Sequence, residues 1–163
     1  GPKEGDLTGA NANYDWGAYN PITNGGNKEG LWRTPTADEW EYLMKKRPNA
    51  DKLTVNCTVC GVKGYFILPD DFWNNRLRLP LDTTESYSVN KYTAEQWSQL
   101  EALGVVFMPM SLYRGGGENI ISPSIWTSSV GGSQTARYVL KGGSSSLSEK
   151  YFGLSVRLIK DIK

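Results

Sequence analysis

Cys57-Thr-Val-Cys60 is the pair in this 163-residue chain whose spacing chemistry most readily uses. Two thiols three residues apart make half of a tetrahedral zinc site, or a redox dithiol. No second such pair follows, no cysteine occurs after residue 60, and the chain has no histidine. The half site therefore has nothing to complete it. A redox dithiol belongs at a helix start, where the thiolate is favoured, and this one sits in a strand-like stretch. The reading is packing, with a disulfide of an exported protein as the alternative. The missing histidine also removes Ser/His/Asp and Cys/His nucleophilic catalysis. Asp70, Asp71 and Glu118 are scattered carboxylates, and Pro69-Asp70-Asp71 reads as a solvated turn rather than a cation site. No metal, no cofactor and no enzyme activity are expected.

Residues 113–151 have a different chemistry, that of recognition. They are rich in Gly, Ser, Asn and Tyr, with few large aliphatics. Tyr and Trp supply rigid contact area, and Ser, Gly and Asn supply adaptable hydrogen bonds. The candidate ligand-binding residues are Tyr113, Arg114, Glu118, Asn119, Trp126, Ser128, Ser129, Gln134, Arg137, Tyr138, Lys141 and Tyr151. The competing reading is of ordinary polar loops over a core that claims Trp126, since tryptophan buries so much area.

The elements that must position these residues are short. Residues 1–30, rich in Gly, Asn and Asp, read as an irregular lead-in whose Tyr14, Trp16 and Tyr19 pack down on the core. Thr36-Ala-Asp-Glu39 is a capping box that opens a helix to about Lys46, with Trp40, Leu43 and Met44 on one face and Pro48 as its stop. Thr93-Ala-Glu-Gln96 opens a second, with Trp97, Leu100 and Leu103 at helical spacing and Gly104 at its end. Residues 53–62 and 64–68 read as a hairpin around Gly61-Val-Lys-Gly64, and Val105 to Pro109 as a buried strand. Residues 124–128, 136–140 and 154–159 read as the last three strands, with turns or loops at Gly115-Gly-Gly117, Gly131-Gly132 and Gly142-Gly-Ser-Ser-Ser146. Two helices among many strands give an α+β chain, with the domain proper over residues 31–163.

A net charge of +1 from 18 basic and 17 acidic residues gives no pull on phosphate backbones. Lys45-Lys46-Arg47 suits a helix C-terminus instead, so no nucleic-acid partner is expected. No apolar run is long enough to span a bilayer, so no direct membrane insertion is expected of this chain. The chain does not begin with Met, and Gly1-Pro2 fits a trimmed end, which leaves room for an upstream part of the fold.

Trp32-Arg33-Thr34-Pro35-Thr36 with Glu39-Trp40 and Tyr42-Leu43, then Trp126-Thr127-Ser128-Ser129, then Gly153-Leu-Ser-Val-Arg157, occur in an order that resembles one family. It is the C-type-lectin-like fold in the branch of formylglycine-generating-enzyme relatives and the Fibrobacter succinogenes major paralogous domain. Gly64 to Asp70 and Tyr92 to Trp97 look like the surface proteins of Bacteroidales in this group. The resemblance implies small, mostly antiparallel sheets and long irregular loops; with five donors each, Arg33 and Arg157 are expected under the helix layer, on backbone carbonyls or carboxylates. It also implies an extracellular or cell-surface location and a protein or glycan ligand held by the C-terminal strands and loops. Variable proteins diversified by retroelements end in a similar strand. The oxidase members need a late cysteine pair, which is absent. The calcium-binding lectins need a Trp-Asn-Asp strand, where this chain has Trp126-Thr127-Ser128. A structural or assembly domain of a larger surface protein is the alternative role, and a divergent enzyme of the superfamily the remaining one.

Overall fold

Both helices start where the capping boxes stand. The Glu39 N–H donates to the Thr36 hydroxyl at 3.2 Å, and the Thr36 N–H donates back to the Glu39 carboxylate at 2.8 Å. Helix α1 (Ala37–Glu41) follows, continued by a wider π-type turn, Tyr42–Lys46. The same reciprocal pair, Thr93 with Gln96, opens α2 (Ala94–Ala102). Each box satisfies two backbone donors that a helix start otherwise leaves without partners. The basic run after α1 forms no charged face. Lys46 pairs with Glu41 at 2.9 Å, while the Arg47 guanidinium is buried and reaches Asp70 at 2.9 Å.

The structure, a computed structural model, describes residues 5–15, 31–74, 79–83, 87–115 and 118–161, and of residues 111–122 the backbone alone. Its strands are β1 (Trp32–Arg33), β2 (Thr54–Val59), β3 (Val62–Ile67), β4 (Lys91–Tyr92), β5 (Val106–Pro109), β6 (Ser111–Gly115), β7 (Glu118–Ser122), β8 (Ile125–Val130), β9 (Thr135–Val139), β10 (Ser145–Glu149) and β11 (Ile159–Lys160). They form four small sheets: β4-β2-β3-β5, β10-β9-β8, β6-β7 and β1-β11. All pairings but the parallel β2–β4 one are antiparallel, so the class is α+β with small, mostly antiparallel sheets.

The central sheet is buried on both faces, because alternate residues of a strand point opposite ways. Val55, Cys57, Val59 and Phe66 face a core shared with Leu100 and Tyr92, with Trp97 packed against it. Tyr65, Ile67 and Met108 face a second core with Trp40 and Met44 of the α1 segment and with Ile125 and Val139. This second core fastens β8 and β9 to the rest of the fold and leaves their opposite face turned away from it.

Several sequence expectations are corrected. The hairpin turn is Cys60-Gly61, with φ +48° and +84°, rather than Gly61 to Gly64. Positive φ at both central positions suits a two-residue hairpin turn. Gly64 lies within β3, where a Cβ would collide with the Met108 carbonyl oxygen and the Phe107 ring. Val106–Pro109 is an edge strand with Met108 buried and Pro109 exposed, not a fully buried one. Residues 154–159 do not run as a strand. Only Ile159–Lys160 pairs, with β1, while Ser155 makes one bridge to Ile125. Ser145 and Ser146, read as part of a turn or loop, belong to the edge strand β10 (Ser145–Glu149). The lead-in contains a 3-10 turn, Gly9–Tyr14, and Tyr14 is 57% exposed instead of packing inward. Trp16 and Tyr19 lie outside the described residues. Leu103, expected on the packing face of α2, is exposed at its end. Arg157 is exposed, whereas Arg33 sits between Glu39 and Asp161, at 2.6 and 2.9 Å.

Candidate functional site

β8 is held along its whole length, and the way it is held defines the site. On one side it pairs with β9, Ile125 opposite Val139 and Trp126 opposite Tyr138, with an irregularity before Val130. On its other side, separate segments take up its backbone groups. The Trp126 N–H donates to the Ser155 carbonyl at 2.8 Å, and the Ser128 N–H to the Pro35 carbonyl at 2.9 Å. The Leu7 N–H donates to the Ser128 carbonyl at 2.7 Å, and the Val130 N–H to the Asp6 carboxylate at 2.6 Å. The polar lead-in and the proline loop before α1 therefore converge on one strand.

The register divides the side chains between two faces. Ile125 and Val139 point into the core. Trp126 and Tyr138 point away from it, edge to face with centroids 6.3 Å apart. The indole N–H of Trp126 donates to the Phe152 carbonyl at 3.2 Å, which fixes the ring. Ala136 shares this outer face by strand alternation.

Over this face lies a cleft of about 330 Å³. Trp126, Val130, Ala136 and Val156 give it an apolar wall, and Leu7 and Tyr14 border it from the lead-in. Asp15, Thr34, Ser128 and Lys150 give it polar groups. Asp15 is only 2% exposed. Its carboxylate accepts from the Thr34 N–H at 2.6 Å and the Thr34 hydroxyl at 3.0 Å, which locks the lead-in onto the proline loop. Ser128 is also 2% exposed. Both of its backbone groups are engaged, and its hydroxyl has no hydrogen-bond partner among the described residues. Lys150 reaches the Ser133 carbonyl at 3.2 Å.

The candidate residues read from sequence separate on this geometry. Trp126 and Tyr138 come together, and Trp126, Ser128 and Ser129 line the cleft. Ser128 and Ser129 are not loop-surface residues. Ser128 is buried, and the Ser129 hydroxyl accepts from the Ala37 N–H at 3.0 Å, bracing the start of α1. Gln134 and Arg137 are exposed, Lys141 is half-buried, and Tyr151 is 74% exposed with its ring against Phe152 at 4.7 Å. Tyr113, Arg114, Glu118 and Asn119 belong to the β6–β7 hairpin, with Arg114 opposite Asn119, and their side chains lie outside the described residues. Leu7, Asp15, Val130, Ala136, Lys150 and Val156 line the cleft but escaped the sequence reading. Ala136 alone had a local signal, its period-2 spacing from Tyr138.

The cysteines stand apart from this cleft. Cys57 is fully buried in the first core, Cys60 is exposed at the hairpin tip, and neither forms a disulfide. Burial pushes the Cys57 thiol well above its ordinary range. Among the described residues no three His, Cys, Asp or Glu side chains gather as a metal-binding group. Among them, too, no helix is long and apolar enough to cross a membrane.

Compared with known proteins, the chain finds no significant match to a family model, a curated protein or a solved structure.

Proposed function

We propose that this chain is a non-catalytic ligand-binding module of C-type-lectin-like fold, displayed on or secreted from a bacterial cell, recognising a protein or glycan through its C-terminal strands and loops. The observation that carries the reading is the cleft over the outer face of β8 and β9, where an apolar wall meets a few fixed polar groups. Small-ligand sites have that composition. The motif resemblance supports the fold and the surface location: Trp40, Thr36 and Glu39 take the anchoring and capping roles that the motif assigns them.

The test is an array of immobilised glycans and bacterial and host surface proteins, probed with the intact chain and with an Ala136→Leu variant, which adds bulk to the cleft wall. A ligand bound by the intact chain and lost in the variant supports the reading. A chain that binds nothing, or a variant that binds equally well, refutes it.

A structural or assembly role has one observation in its favour. Among the described residues β10 pairs only with β9, and strand edges of this kind template pairing with another chain. Light scattering over a concentration range distinguishes an assembling unit from a monomer.

A further inference from the structure

We infer that the chain pairs with a second copy of itself along β10, joining two three-stranded sheets into one of six strands. The inference takes up the open edge noted above, and the pairing itself needs no ligand.

The register shows which backbone groups β10 leaves over. The Leu140 N–H donates to the Ser144 carbonyl and the Lys150 N–H to the Gln134 carbonyl, both at 3.0 Å. Antiparallel strands exchange bonds at alternate residues, so Ser146 and Ser148 are the positions bonded to β9. The N–H and C=O groups of Ser145, Leu147 and Glu149 point outward, and among the described residues nothing takes them up. The other edges of the two larger sheets are closed or blunted. Pro35, Leu7 and Ser155 occupy that of β8, β4 has only two residues, and β5 carries Pro109. β10 is five residues long with no proline, lysine or bulge, the devices by which edges avoid pairing, and its one charge, Glu149, stands at its end.

The strand also complements itself. A two-fold axis through Leu147 sets every outward residue against an outward residue, Leu147 against its copy and Ser145 against Glu149. Leu147 is 48% exposed, so each apolar side chain gains an apolar neighbour. The two Glu149 carboxylates stand four residues apart along the seam, roughly 14 Å, beyond the Debye length of physiological salt, about 8 Å. By register with Val139, Ser145 and Glu149 share the α1 side of the sheet. There Gly143 packs on Lys45, which is exposed and makes no salt bridge among the described residues. Glu149 of the second copy, set against Ser145, is brought to this lysine. The axis stands perpendicular to the sheet, so the outer faces of both β8–β9 pairs turn the same way. Their clefts lie roughly 15–25 Å apart at the ordinary strand spacing. For the binding reading, two such clefts engage a repeated ligand together, which raises avidity without a new contact.

Sedimentation equilibrium of the intact chain without ligand, from about 10 μM to about 1 mM, spans the range in which a contact this small associates. Amide exchange is read at both ends of that range. The mass is expected to rise towards that of a dimer. The Ser145, Leu147 and Glu149 amides gain protection with concentration, while those of Ser146 and Ser148 are protected throughout. Leu147→Pro removes an outward N–H that the fold does not use and abolishes the association, with the thermal midpoint reporting folding separately. Glu149→Lys sets like charges beside Lys45 at both ends of the seam and raises the dissociation constant about tenfold. A monomer throughout overturns the inference. So does growth beyond a dimer, a dimer whose Ser145, Leu147 and Glu149 amides stay unprotected, or one that either substitution leaves unweakened. None of these outcomes touches the binding reading, which the array tests by itself.

Discussion

Glu39 holds two parts of the frame at once, and replacing it tests how the site is supported. Its carboxylate closes the capping box of α1 on the Thr36 N–H at 2.8 Å. It also meets the Arg33 guanidinium through two hydrogen bonds, at 2.8 and 2.6 Å, while Arg33 reaches on to Asp161 beyond β11. The Arg33 guanidinium, followed by the capping contacts of Thr36, holds the Glu39 carboxyl down at about 2, against 4.5 for a free one. Taken at face value, a depression of that size stabilises by about 3 kcal/mol, at 1.36 kcal/mol per unit. The Glu39 side chain is 42% exposed, and solvent screening brings the expected figure to about 1 kcal/mol. A depressed carboxyl stabilises fully above its unfolded value, near 4.5, and that share is lost as pH falls towards about 2. Glu39→Gln keeps an acceptor for the capping bond but has no charge. Urea unfolding of both proteins at pH 7 and pH 3 is the assay. The variant is expected to be about 1 kcal/mol less stable at pH 7, with the difference shrinking at pH 3. Equal stability at pH 7, or a difference that persists undiminished at pH 3, refutes the reasoning.

Other perturbations follow from the same geometry. Gly64→Ala places a methyl against the Met108 carbonyl and the Phe107 ring. It should cost about 1–3 kcal/mol and lower the thermal midpoint by roughly 2–12 °C in a calorimeter; an unchanged midpoint contradicts the close approach. Asp15→Ala strips the buried Thr34 N–H of its acceptor, a loss of about 1–3 kcal/mol. Hydrogen exchange should show the Thr34 and Leu7 amides losing protection, and unchanged exchange means the lead-in is not fastened there. A thiol reagent should modify Cys60 in the native protein and Cys57 only on unfolding, since one is exposed and the other buried with its thiol pushed up. Two fast-reacting thiols contradict that placement.

The parts of the fold legible in the sequence are those whose signal is local. Thr36 with Glu39 and Thr93 with Gln96 mark helix starts because a capping box is complete within four residues. Trp40 and Met44 mark the buried face of the α1 segment by spacing. The hairpin was legible, but Gly61 and Gly64 competed for its turn. Gly64 is present for a reason no local pattern carries, the approach of β5. Strand β10 was hidden because Ser145, Ser146 and Ser148 carry no apolar alternation, with Leu147 alone among them, and an exposed edge strand needs none. Residues 154–159 carry the alternation of a strand, yet only Ser155 bridges to the edge of β8 and only Ile159 pairs with β1. For the site, Trp126 and Ser128 were legible by type. Leu7 and Asp15 were not, because they reach β8 and Thr34 from a polar segment with no periodicity, and the hydrogen bonds that bring them there are tertiary. Ser129 was legible as a polar residue but not as a brace for α1, which depends on the same convergence.

The central claim is that ligand is held on the outer face of β8 and β9. Amide and indole chemical-shift mapping of the isotope-labelled chain, titrated with a ligand taken from the array, tests it most directly. The Trp126 indole N–H and the amides of Ser128, Ala136 and Lys150 are predicted to move together with one saturation curve. Shifts confined to the β4-β2-β3-β5 sheet or to α2, with the Trp126 indole unmoved, would contradict it.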